Sequence, residues 1–165
     1  MKKLSLSLFS IILFSTIITS AISFEKIIIG KANVTDGDTI KIGKSRIRLH
    51  GIDAPESKQR CKDKKLNYWL CGQAATKALR KKINNRVVEC FSDKKDKYKR
   101  HIAICSVDGM NLNQWLVLNG WAIAYRKYSK DYLEAETAAK SIETGIWAGE
   151  FILPWEWRRG KRLKQ

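Results

Sequence analysis

Between Val34 and Glu56 the chain reads VTDGDTIKIGKSRIRLHGIDAPE, a stretch that holds the carboxylates Asp38, Asp53 and Glu56 and the guanidiniums Arg46 and Arg48. A further arginine, Arg100, closes the run Asp96-Lys97-Tyr98-Lys99-Arg100 downstream. Carboxylate oxygens suit a hard cation such as calcium, which accepts irregular coordination completed by backbone carbonyls and water. Arginine stays charged and offers a planar fork to two phosphate oxygens at once, where lysine would be a point charge. A cation between Asp38 and Asp53, with a guanidinium on each side of a phosphate, would neutralise the charge that builds up when water attacks a phosphodiester. Taken singly these acids have ordinary uses: Asp36 in D-G-D is most simply a turn former, and Asp38 and Asp53 also sit where turns are expected. Their joint occurrence is what points to a site.

Short alternating segments must position these groups. Phe24 to Asn33, with Ile27, Ile28 and Ile29, reads as an opening strand, Thr39 to Ile42 as a second, and Arg46 to Ile52 as a third after a turn at Gly43 to Ser45. That hairpin carries Asp38, Arg48, Asp53 and Glu56 to one end of a sheet. Ser57 to Leu70 is basic and polar, a surface loop. In Gly72 to Ile83, Ala75, Leu79 and Ile83 share one face at helical spacing, so a helix packs on the sheet there. Arg86 to Phe91 and Arg100 to Ser106 read as two more strands across a lysine-rich turn. A second helix is expected over Leu112 to Asn119, capped by Asn111 and stopped by Gly120, and a third over Lys130 to Thr144. The fold class is therefore α+β, mainly β, with five strands and about three helices, which fits a small Greek-key barrel. Trp155 and Trp157 beyond it are expected to pack back onto the domain, leaving the basic terminus in solvent.

Composition sets the context. The chain has 165 residues and a net charge of +16. Lys2 and Lys3 precede an apolar run from Leu4 to about Ile22, and Ala21-Ile22-Ser23 resembles a signal-peptidase site, so residues 1–23 read as a signal peptide and the protein as secreted or periplasmic. An uncleaved membrane anchor is the lesser alternative. Removal of that leader would take two of the 32 basic residues and none of the 16 acidic ones, leaving +14. Such a charge favours a polyanion, nucleic acid first and anionic lipid or glycan second. Cys61, Cys71, Cys90 and Cys105 form an even set in an exported chain, which argues for disulfides. The facing strands would pair Cys90 with Cys105, leaving Cys61 for Cys71. A zinc site is the weaker reading, because no C-x-x-C spacing occurs.

DGDT, then R-L, then G-I-D-A-P-E, then D-K-Y-K-R, in that order, resemble the staphylococcal nuclease (thermonuclease) family over Phe24 to Trp147. The resemblance implies an oligonucleotide-binding (OB) fold domain over 24–147, with 148–165 as an aromatic and basic extension. It also implies an exported calcium-dependent nuclease acting on DNA and RNA, single-stranded or frayed, with little sequence preference and 3′-phosphate products. In that reading Asp38, Asp53 and the Ala54 carbonyl hold calcium, and Arg48 rather than Arg46 acts with Arg100 on the phosphate. Glu56 contacts the attacking water, Tyr98 meets a terminal phosphate, and Tyr125 either stacks near a base or packs in the core. Trp115 and Trp121 are read as core, and His50 and His101 as structural. Lys99 stands where the family usually has glycine, and Ala54 where its best-known member has threonine, although only the carbonyl is needed. A monomer is expected. The rivals are a non-catalytic cationic barrel that tethers extracellular nucleic acid and a surface adhesin for lipid or glycan.

Overall fold

The computed structural model describes residues 26–164, so the expected signal peptide over residues 1–23 lies outside the described residues. Strands β1 (Lys26–Asp36), β2 (Thr39–Ile42) and β3 (Ser45–Leu49) form an antiparallel meander. The two-residue strands β4 (Ile52–Asp53), β5 (Cys61–Lys62) and β6 (Tyr68–Trp69) follow, and then helix α1 (Cys71–Ile83). Next come β7 (Val87–Lys95), β8 (His101–Val107), β9 (Met110–Asn111) and helix α2 (Leu112–Leu118). The chain ends with β10 (Ile123–Ala124), α3 (Leu133–Ser141), a 3-10 turn at Gly145–Ala148 and α4 (Pro154–Arg158).

The barrel closes because β1 pairs with β7, β7 with β8, and β8 returns to β3 in a parallel pairing of Ile47 with His101, Arg48 with Ile102 and Leu49 with Ala103. Among the described residues this gives a closed five-stranded OB barrel with four α-helices. Alternation along the strands fills it: Ile40, Ile47, Leu49, Val88, Ala103 and Val107 point inward, and Leu79 and Ile83 of α1 and Leu112 and Leu116 of α2 seal it. Trp115 and Trp121 pack against that core. Asn111 caps α2 by accepting the Gln114 N–H at 3.0 Å.

Both expected disulfides are present, Cys61–Cys71 and Cys90–Cys105, the second between residues in direct cross-strand register. The first sits in a smaller apolar cluster with Ile123 and Ile146, against which Phe151, Leu153 and Trp155 pack.

Four expectations need correction. The third strand stops at Leu49 rather than Ile52, because Gly51 takes a φ of +71° and turns the chain so that Ile52 and Asp53 pair with β10 instead. The third helix spans only Leu133–Ser141, broken by positive φ at Glu143 and Gly145. A fourth helix exists, opened by Pro154 at its first turn. Finally, the basic terminus is not wholly solvated, since Arg158 at the end of α4 enters the site described next.

Candidate functional site

The tight turn after β1 starts the site. The Asp38 N–H donates to Asp36 Oδ1 at 3.2 Å, which gives Asp36 its turn role. The Asp38 carboxylate accepts the Thr39 hydroxyl at 3.1 Å and the Ala54 N–H at 2.9 Å, tying the first turn to the Asp53-Ala54-Pro55 segment. Burial, then the charge of Asp38, pushes the Asp36 carboxyl up to about 6.

Arg48 lies between acids. Its side chain pairs with Asp38, and Nη2 donates to Asp53 Oδ1 at 2.9 Å. Burial opposes its charge, but Asp38 and Asp53 outweigh burial and hold the guanidinium above its usual range. Arg46, on the same strand, is exposed.

Asp53 is fully buried and both of its oxygens are engaged. Arg158 donates to Oδ1 through Nη1 at 3.1 Å and to Oδ2 through Nη2 at 2.8 Å, and the same Nη1 reaches Glu56 Oε1 at 2.7 Å. Burial of Asp53 outweighs the arginines beside it and leaves its carboxyl above the ordinary range. Glu56 is seated by its loop. Its N–H donates to Gln59 Oε1 at 3.2 Å and its carbonyl accepts the Gln59 N–H at 2.7 Å. The Glu56 carbonyl lies so near the start of α1 that a Cβ on Gly72 would come within 1.8 Å of it, so only glycine fits there.

Arg100 is aimed by Asp96, which accepts its Nε at 2.7 Å and its backbone N–H at 2.9 Å. The turn between them requires Lys99 at a φ of +62°, which explains the glycine preference at that position while showing that lysine sustains the same backbone. Tyr98 stands on this turn, 61% exposed, with the Arg100 guanidinium 5.4 Å from its ring centroid.

One cleft of about 670 Å³ gathers these groups. Asp38, Arg48, Ala54, Glu56, Tyr98, Arg100 and Tyr125 all border it, with Asp53 directly beneath Arg48 and Arg158. Tyr125 is therefore a cleft residue. Its ring stacks on Trp155 at 5.2 Å, nearly parallel, and meets the edge of Tyr128 at 4.8 Å. His50 borders the cleft too, but its backbone carries structure: its N–H donates to Ala103 and its carbonyl accepts from Asn113. His101 is buried in the strand pairing.

The donor set fits a hard cation. It is oxygen only, it crowds acids whose burial is not fully compensated, and it borders open space. Among the described residues no three acidic, histidine or cysteine side chains converge on one point, so an ion here would be held by two carboxylates, with carbonyl and water completing the shell.

Two residues escaped the sequence reading. Asp96 carries a readable signal, an aspartate opening a turn that ends in the arginine it holds. Arg158 is one of several basic residues in a tail with no pattern.

The fold and cleft together define an OB-barrel protein with a basic exterior and an acid-and-guanidinium site at one end of the barrel. The family model described as Staphylococcal nuclease homologue matches residues 46–149. The chain belongs to this family. It is 36% identical over 126 residues to the succinoglycan biosynthesis protein ExoI of Rhizobium meliloti, covering 74% of this chain and 66% of that protein, just under two thirds of its length. It is 34% identical over 162 residues to an uncharacterized endonuclease of Haemophilus influenzae, covering 93% of this chain and 85% of that protein. An uncharacterized endonuclease of Escherichia coli is 33% identical over 136 residues, covering 78% and 82%.

Proposed function

We propose that this protein is an exported calcium-dependent nuclease that hydrolyses phosphodiester bonds of DNA and RNA with little sequence preference. The observation that carries the proposal is that Asp38, Arg48, Ala54, Glu56 and Arg100, drawn from separate elements, border one cleft over the buried Asp53. Family membership and the endonuclease names of two relatives support it.

Asp38, Asp53 and the Ala54 carbonyl would hold the calcium ion, which when bound supplies positive charge next to the phosphate. Arg48 and Arg100 grip the phosphate oxygens and stabilise the charge that grows on them in the transition state. Glu56, with one carboxylate oxygen on Arg158 and its side chain half open to the cleft, orients the attacking water and accepts its proton. Tyr98, on the turn of Arg100, meets a terminal phosphate, and Tyr125 and Tyr128 offer ring surface to a base of any identity. The net charge of +14 that would remain after leader removal draws the polyanion in by counterion release. Export rests on the leader-like residues 1–23, and the two disulfides agree with an oxidising compartment.

The test is degradation of single-stranded DNA and of RNA in calcium or chelator by the wild type, Glu56→Gln and Arg100→Ala. The proposal predicts calcium-dependent cutting that falls by about 10²–10³-fold in each variant. Tight binding without turnover would make the protein a tether, and weak affinity for nucleic acid would make it an adhesin.

A further inference from the structure

Arg158 sits outside the matched family region and beyond every motif in the sequence, yet it makes more contacts to the site's acids than Arg100 does. Its guanidinium spans both oxygens of Asp53 and one oxygen of Glu56. Those are oxygens, and a negative charge, that a cation held by Asp53 and a water held by Glu56 would also use. A guanidinium and a divalent ion cannot occupy the same oxygens at full strength, so the two compete.

Its support is built to let the side chain move while the backbone stays. Pro154 of α4 is buried, Leu153 and Trp155 pack in the small apolar cluster, and the preceding Ile152 carbonyl accepts Nε2 of the buried Gln59 at 2.6 Å. Trp155 also stacks on Tyr125. The Arg158 side chain, in contrast, is 38% exposed and borders the open cleft. A long, partly solvated side chain on a fixed helix end can exchange partners without refolding anything.

Charge accounting points the same way. Among the described residues, the cationic side chains paired with Asp38, Asp53 and Glu56 are those of Arg48 and Arg158. A divalent ion supplies the charge that Arg158 now supplies and one unit more, which frees Arg158 to face the cleft where the phosphate enters.

We infer that Arg158 is a resident counter-ion of the Asp53 and Glu56 carboxylates that a divalent cation displaces, so that the C-terminal helix sets the cation affinity of the site. The inference rests on the calcium-site reading above. It makes Arg158 an affinity-determining residue, with a place on Asp53 and Glu56 before the cation arrives and a place toward the phosphate afterwards.

The test is calorimetric titration of the full chain with calcium chloride, without nucleic acid, for the wild type, Arg158→Gln and Arg158→Lys, with circular dichroism to verify folding. Arg158→Gln is expected to bind calcium about three- to tenfold more tightly, the fold-change matching loss of partly exposed ion pairs. Arg158→Lys, which keeps the charge but loses the fork, is expected between the two. Calcium should also raise the unfolding midpoint of Arg158→Gln by more than that of the wild type. Equal or weaker calcium binding in the folded variants overturns the inference and leaves the calcium site standing. Absence of calcium binding in all three proteins overturns the calcium site itself and the inference with it. Tighter binding by a variant of a protein that cuts no DNA would uphold the counter-ion and refute the nuclease.

Discussion

Asp53 and Glu136 show two ways for a single chain to keep a carboxylate out of water. Asp53 is paired with two arginines that border an open cleft. Glu136 is also tied to the backbone: its carboxylate accepts the Ala124 N–H at 3.0 Å and Lys140 at 2.8 Å and also pairs with Arg126. Burial alone would raise its pKa, but these partners outweigh burial and leave the carboxyl below its ordinary value of 4.5. A folded-state value below the unfolded one means that the group stabilises the fold fully above that ordinary value and loses its contribution as pH falls through the folded value. Glu136→Gln should therefore cost about 1.5–3 kcal/mol in urea unfolding at neutral pH. The gap to the wild type should close in acid. A gap that stayed constant down to pH 3 would show that Glu136 acts through shape and not charge. The consequence reaches the site, because the Ala124 N–H that Glu136 holds lies one residue before Tyr125.

At the scale of elements, the turn between β7 and β8 shows what a local pattern can carry. The D-K-Y-K-R run identifies the arginine by type and spacing, and Asp96 holds it through two hydrogen bonds. Lys99 occupies left-handed backbone at a cost that glycine does not bear. Lys99→Gly is expected to raise stability by about 0.5–1 kcal/mol, read from the urea midpoint, with Arg100 left in place and cleavage unchanged. A loss of stability would mean that the lysine side chain has a role the backbone does not explain. Elements with strong local signals were legible beforehand: the isoleucine run of β1, the hairpin of β2 and β3, the one-sided apolar face of α1, the Asn111 cap of α2 and the cross-strand cysteine pair. Elements set by distant partners were not. Gly51 is a turn residue, but nothing near Leu49 announces that Ile52 and Asp53 will pair with Ile123 and Ala124. Helix α4 spans five residues, too few for periodicity to appear, and its proline and tryptophans read equally well as a coil. Arg158 was hidden for that reason, since a side chain is recognised by its neighbours in space and the tail supplies none in sequence.

For the molecule as a whole, barrel closure is the step that makes a site from scattered residues. The parallel pairing of β3 with β8 sets Arg48 beside Ile102, two residues past Arg100, while the turn after β1 and the loop after β4 deliver Asp38 and Glu56 to the same end. The motifs named the residues, this topology brings them to one cleft, and the proposed function requires that one phosphate touch them together. That claim is tested most directly by a double-mutant cycle on the single-turnover cleavage rate of a single-stranded DNA oligomer in calcium, using Glu56→Gln, Arg100→Ala and the double variant. Groups that act as one unit on a transition state lose their effects together, so the double variant should fall within about tenfold of the weaker single variant. Losses that multiply would contradict the account, because they would show that Glu56 and Arg100 act independently of each other and not as one unit.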